Sequence, residues 1–271
     1  MASGLRMAAP LLLLWLAAAS GSLYDDFDFV GGGDAGGRML DNGQLIALSL
    51  SNGRGSSFHS KKEYLFGRFS MQLKLIPGYS AGTVTTFYLQ SGGTARDEID
   101  FEFLGNLSGE PYVVHTNIYV MGEGEREQQF YLWFDPTKAF HTYSLLWTPR
   151  HILFFVDGTP IREFERAAPF PAGRVMRIWG TLWAAQEWAT RGGRVHTDWS
   201  KGPFTAYYRN FLVESCRRSP GGAATAACRE LDAAGRRRMT WVRRKYMIYN
   251  YCTDVGRFPR GPPPECHRRH H

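Results

Sequence analysis

The sequence predicts an all-β domain, an antiparallel sandwich or barrel, with a short cysteine-bearing extension at its C-terminal end. Three observations carry that reading. Apolar and polar residues alternate through a series of short runs, turns rich in Gly, Asn and Pro separate the runs at regular intervals, and no long helical pattern interrupts them before about residue 211. At 271 residues the chain is long enough for one large β domain plus an appendage.

The elements follow in order. Residues 1–22 read as a signal peptide: Arg6 precedes the apolar run LLLLWLAAA (11–19), and small residues follow. That run is too short to span a bilayer comfortably, and no later segment is long and apolar enough to do so. The mature chain is therefore expected to be secreted, soluble and free of a membrane anchor. A β domain over 23–210 comes next, with strands expected at 45–51, 65–76, 82–91, 98–105, 112–120, 128–134, 141–147 and 151–158. Turns such as Ser51-Asn52-Gly53, Pro77-Gly78 and Asp157-Gly158 punctuate them. An aromatic region spans 175–208, broken by the loop AAQEWATRGG (184–193). From 211 to 271 the character changes: this part is Arg-rich, holds all the cysteines, carries one helical pattern near 236–246 and ends in the irregular RFPRGPPPE.

Four cysteines, Cys216, Cys228, Cys252 and Cys266, in a secreted chain imply two disulfides. Three pairings are possible, and the local one, Cys216–Cys228 with Cys252–Cys266, is preferred because it closes two short loops. The rival is a zinc site, for which no CxxC spacing is present. Asn106-Leu107-Ser108 is an N-glycosylation sequon, meaningful in a secreted chain. Charge is uneven: from residue 209 onward there are 14 Lys and Arg against 5 Asp and Glu, while the whole chain nets +7. Secretion argues against nucleic acid as the partner of that basic end. A solvated basic surface, or contact with an acidic polysaccharide, is the milder reading.

The stretch RDEIDFEFLG (96–105) carries the chemistry. On a strand, Glu98, Asp100 and Glu102 share one face while Ile99, Phe101 and Phe103 share the other. Three adjacent carboxylates repel one another and raise one another's pKa. Retaining glycoside hydrolysis uses such a set: one carboxylate attacks, and a carboxylic acid about 5–5.5 Å away protonates the leaving oxygen. Positions i and i+4 are about 13 Å apart at Cα on a flat strand, a gap that leaning Glu side chains and strand curvature narrow. A Ca²⁺ site and a merely solvated strand face are the competing readings. Trp179, Trp183, Trp188 and Trp199, with Tyr207 and Tyr208, supply aromatic surface suited to sugar rings.

DEIDFEFLG resembles the active-site signature of the plant xyloglucan endotransglucosylase/hydrolases of glycoside hydrolase family 16. The resemblance extends through GRFSMQLKLIPGYSAGTVTTFYLQS, HTNIY, REQQFYLWFDPTKAFHTYSLLW, WATRGGRVHTDWSKGPFTA and YMIYNYCTD, nearly the whole mature chain. It implies a two-sheet antiparallel β-jelly-roll sandwich with a concave substrate cleft and a disulfide-bonded C-terminal extension. It implies Glu98 as nucleophile, Glu102 as general acid/base and Asp100 as the assisting carboxylate. Binding of xyloglucan donor and acceptor chains would fall to His115, Thr116, Asn117, Glu125, Arg126, Glu127, Glu187, Trp188, Gly192 and Arg257. No cofactor or metal is implied, and a monomer in the apoplast and cell wall is expected. Three residues depart from the family pattern: Arg96 and Glu125 stand where His and Asn are usual, and Glu187 replaces the more usual Asp. A sugar-binding lectin on the same sandwich and a mixed-linkage β-glucanase are the alternatives.

Overall fold

The computed structural model describes residues 22–30, 36–166, 169–216 and 228–267. All but the last residue of the expected signal peptide lies outside them. After one helical turn, α1 (Leu23–Asp26), come β1 (Phe27–Val30), β2 (Arg38–Leu40), β3 (Leu45–Leu50), β4 (Ser56–Ser60), β5 (Gly67–Lys74), β6 (Thr83–Gln90), β7 (Glu98–Leu104) and β8 (Val113–Tyr119). They are followed by β9 (Gln128–Tyr131), β10 (His141–Trp147), β11 (His151–Val156), β12 (Thr159–Glu165), β13 (Arg177–Ala184), β14 (Phe204–Glu214), α2 (Ala233–Tyr246) and β15 (Met247–Asn250). The strands form two antiparallel sheets, β1-β4-β13-β6-β7-β8-β9-β15 and β12-β11-β10-β5-β14-β3-β2.

The core lies between the sheets. From β7, Ile99, Phe101 and Phe103 are all fully buried. Phe103 meets Tyr143 of β10 edge-on at 4.5 Å, and Phe101 meets Phe154 of β11 at 5.2 Å. Burying each such ring contributes about 2–3 kcal/mol. Sliding β7 by one residue would place three acids in this core, so the alternation holds the register.

β11, HILFFV, is apolar at nearly every position and buried at every position. An antiparallel strand with one wet face would alternate; this one is covered on both sides. Behind it, Leu146, Leu153 and Phe155 pack with Cys228, Cys216 and Leu231 of the extension, where the Cys216–Cys228 disulfide sits. The extension is thus a cover for the back of the second sheet. The boundary drawn at 210/211 falls inside β14, which runs on to Glu214 before the extension begins.

The expected strands form, trimmed at their ends. β5 starts at Gly67 because Phe66 turns the chain with φ 63°. α2 starts at Ala233, ahead of the expected 236, because Asp232 caps it by accepting a hydrogen bond from Gly235 N. Strands β1, β2, β4, β12 and β15 had no clear signal; β4, SSFHS, contains one apolar residue. Tyr208, which the sequence offers as aromatic surface for sugar rings, is instead a core residue with no exposure, its hydroxyl donating to Thr86 O.

Candidate active site

β7 lies between β6 and β8 near the middle of the eight-stranded sheet, and its acidic face is turned away from the core. Register decides the neighbours. Glu98 lies between Gln90 and Tyr119, Asp100 between Tyr88 and Asn117, and Glu102 between Thr86 and His115. Cross-strand residues this close set each other's environment. All three acids line an open groove of about 400 Å³ together with Tyr88, Gln90, Arg96 and Trp183.

The acids differ in what holds them. Glu98 Oε2 accepts from Gln90 Nε2 at 2.5 Å and from Arg96 Nε at 2.7 Å. Both nitrogen donors take the same oxygen. Asp100 is only 3% exposed, and its Oδ1 has no hydrogen-bond partner. Burial first, then the charges of Glu98 and Glu102 and a hydrogen bond to Glu98, raise its pKa well above the usual carboxylate range. Glu102 is pushed up to about 8, by burial and then by the charges of Glu98 and Glu127.

His115 Nε2 lies 3.5 Å from Glu102 Oε2, but burial lowers this imidazole to about 4, so at pH 7 it is neutral and offers Glu102 no positive charge. Gln129 Nε2 donates to His115 Nδ1 at 3.0 Å, which leaves the ring proton on Nε2, facing Glu102. Glu98 is thus held by a cation, while the pKa values of Asp100 and Glu102 are both raised above the usual carboxylate range.

Aromatic surface lies beside them. Trp183 is 38% exposed in the groove, 6.2 Å from Trp188, which packs 5.8 Å from His115. Trp179 stacks on Tyr88 at 6.2 Å. Trp199 packs against Phe204 instead.

The remaining sequence-predicted positions separate. His115 and Asn117 lie on the cleft face of β8, and Asn117 Oδ1 accepts from the backbone of Ile118 and Arg126. Thr116 points the opposite way: it is fully buried, and Arg162 Nη1 donates to its hydroxyl and its carbonyl, both at 2.8 Å. Strand alternation alone forces this, so contact of the Thr116 side chain with substrate is corrected to a role beneath the floor. The Arg126 side chain is likewise buried, donating to Glu265 Oε1 at 2.8 Å and to the carbonyls of Glu123 and Gly124. It clamps the C-terminal extension to the sandwich beside the Cys252–Cys266 disulfide.

Glu127 and Arg257 form a two-point pair at 2.5 and 3.1 Å, and Glu125 lies 3.7 Å from the same guanidinium. Glu187 is exposed, and Gly192 adopts φ +65° in the same loop. Its neighbour Gly193 is the tighter requirement, since a Cβ there would lie 2.3 Å from Glu187 O. Asn106 is partly exposed after β7, its Nδ2 donating to Pro111 O. Among the described residues no three His, Cys, Asp or Glu side chains converge as a metal-ligand set.

Gln90, Tyr88, Thr86 and Tyr119 were missed as site residues. Their only signal was period-two alternation in TVTTFYLQ and VVHTNIY, which says that one face is polar but not what it faces.

A two-sheet antiparallel sandwich presenting three carboxyls on one strand face and an exposed tryptophan in an open groove defines the class of a polysaccharide-active enzyme. Comparison with known proteins agrees. Residues 24–201 match the family described as "Glycosyl hydrolases family 16", and residues 219–266 match "Xyloglucan endo-transglycosylase (XET) C-terminus". The chain is 58% identical to a xyloglucan endotransglucosylase/hydrolase of Glycine max, covering 93% of this chain and 92% of that one. It is 56% identical to a xyloglucan endotransglucosylase of Diospyros kaki, over 98% and 95%. Among solved structures, a Bacillus licheniformis beta-glucanase matches with TM-score 0.59 at 25% identity, over 71% of this chain and 93% of that one. The Crh5 transglycosylase, at 24% identity and TM-score 0.59 over 73% and 82%, shares the fold. The chain belongs to glycosyl hydrolase family 16, in the group whose C-terminal segment is that of the xyloglucan endotransglucosylase/hydrolases.

Proposed function

We propose that this protein cleaves the β-1,4-glucan backbone of xyloglucan with retention and passes the new glycosyl end to another xyloglucan chain or to water. The observation that supports this is the placement of three carboxyls on one strand face, Glu98 contacted by Arg96 and Gln90, and Asp100 and Glu102 shielded beside it with raised pKa values. In this mechanism Glu98 attacks the anomeric carbon through Oε1, the oxygen that no nitrogen donor holds among the described residues. Glu102 donates its proton to the leaving glycosidic oxygen. Once the leaving chain departs, the deprotonated Glu102 takes a proton from the acceptor hydroxyl, and the glycosyl–Glu98 bond breaks as the new glycosidic bond forms. Asp100, its pKa raised first by burial, shares a hydrogen bond with Glu98, and Arg96 and Gln90 hold the nucleophile in line.

Arg257, Glu125, Glu127, Trp188 and Trp183 are read as the surface that holds the sugar chains, with Trp183 offering an exposed ring beside the acids. Secretion to the cell wall is supported by the signal-like segment 1–22 and by two disulfides, which persist in oxidising compartments. The protein is taken to act as a monomer.

Product size tests the reading. With xyloglucan donor and a labelled xyloglucan oligosaccharide acceptor, label is expected in long chains. Label confined to small fragments, with steady chain shortening, overturns transfer in favour of hydrolysis. Faster turnover of mixed-linkage glucan than of xyloglucan overturns the substrate. A mechanism-based epoxide is expected to label Glu98, and a lectin would give no adduct.

A further inference from the structure

We propose that the outward face of α2 is a docking surface for a carboxylated polysaccharide, a polyuronate, separate from the cleft. Arg237, Trp241 and Arg244 are spaced i, i+4, i+7, and Arg238, Trp241 and Lys245 are spaced i, i+3, i+7. At 3.6 residues per turn both rows fall on one side of the helix and cross at Trp241. The opposite side, Gly235, Met239 and Val242, is buried. The outward side is wet: Arg237, Arg238, Arg244 and Lys245 are exposed, and Trp241 is 45% exposed.

The four outward cations have no acid within ion-pairing distance among the described residues. Arg236, turned toward β12, has Glu163 at 3.6 Å, and Arg150 nearby has Glu230 at 2.6 Å. Glutamates of this region thus pair with other arginines. The helix dipole gives a structural reason for cations in the last turn, where Arg243, Arg244 and Lys245 stand, but none for Arg237 and Arg238 in the first half. Nor does it explain a large ring left in water among like charges. Trp241, Tyr246 and Trp133 form a cluster with centroids 5.1 to 5.9 Å apart, and Lys245 Nζ lies 5.8 Å from the Trp241 ring and 5.4 Å from the Tyr246 ring.

The chemistry selects the occupant. Guanidinium groups pair with carboxylates at two points, and an indole face covers the apolar face of a pyranose ring. A polymer of carboxylated pyranoses offers both at every residue, whereas a neutral glucan offers no partner to four cations. The surface spans about 12 Å along the helix axis from Arg237 to Lys245, at 1.5 Å per residue, room for about two sugar units. α2 runs directly into β15, the last strand of the cleft sheet, so docking here would hold the enzyme on an acidic polymer while leaving the carboxylate groove free.

Affinity electrophoresis of the purified chain through gels containing polygalacturonate tests this. Retardation is expected near 0.1 M salt, weakening as salt rises, and none is expected from an equal concentration of unsubstituted cellulose ether. R237A/R238A/R244A/K245A should lose at least about tenfold in apparent affinity. W241A, which keeps every charge, should lose several-fold. Xyloglucan turnover should stay within about twofold in both variants, which certifies folding and makes the result independent of the catalytic reading. The proposal is overturned if the wild type is not retarded, if either variant binds polygalacturonate as the wild type does, or if duplex DNA or phosphatidylserine vesicles bind as tightly as polygalacturonate. Should the fourfold variant fail to turn over xyloglucan, R237A/R244A with W241A decides by the same criteria.

Discussion

The two ends of β7 carry the same residue type in opposite circumstances. Glu98 receives two nitrogen donors, one of them a cation, on a single oxygen. Glu102, four residues on, is half-buried beside other acids, and the base next to it is an imidazole that burial keeps neutral. Chemistry that needs an anion and an acid at once is served by environment, not by residue identity. The difference comes from the neighbouring strands: Gln90 on β6 at one end, His115 on β8 at the other.

Breaking each end separately should give different losses. Glu98→Ala removes the attacking group and should lower kcat on the order of 10⁴-fold or more, for every leaving group, as read by initial rates. Glu102→Ala should cost about 10²–10⁴-fold on xyloglucan but far less on an aryl glycoside whose leaving group needs no proton. Equal losses on both substrates would collapse the distinction between the two ends. Full activity in excess chelator is expected as well, since neither role uses a metal ion; loss at all three acids restored by calcium would replace both roles with a cation site.

The proton on Glu102 sharpens the comparison. Its pKa is raised from 4.5 to about 8, so the protonated form, the one the proposed general acid needs, is present below that value and lost above it. The rate should fall as pH rises through about 8. Stability should fall in the same direction, because a carboxyl whose folded pKa is raised contributes stability below its unfolded value and loses it as pH climbs to the folded one. Glu127 is one of the charges that raises Glu102, and Arg257 pairs with Glu127. Glu127→Gln should therefore move the alkaline limb down, and Arg257→Ala, which uncovers Glu127, should move it up. Shifts in the same direction would disprove electrostatic coupling from the extension to the acid.

The smallest effect on chemistry is expected at the disulfide. Cys252–Cys266 spans 14 residues and holds Glu265, which pairs with buried Arg126. Cys252→Ser should lower thermal stability by about 3 kcal/mol, the loop-closure value for this length, and weaken acceptor use. Arg257→Ala should weaken acceptor use while leaving Tm nearly unchanged. An Arg257 variant with unaltered acceptor KM would remove the extension from the cleft.

The class of fold and the three acids are legible from the chain alone, because both rest on local periodicity. Alternation along DEIDFEF puts every acid on one face and every ring on the other, whatever the rest of the chain does. The same rule, applied one residue further, would have turned Thr116 away from the cleft between His115 and Asn117, as the sheet does. Strands such as β4 and β15 left little trace because their partners, not their own residues, make them strands. The folded sheets settle which carboxyl a cation contacts and which is shielded from water. That depends on cross-strand register, which sets Gln90 beside Glu98 and His115 beside Glu102, and on burial, which separates chemically equal side chains by their distance from water.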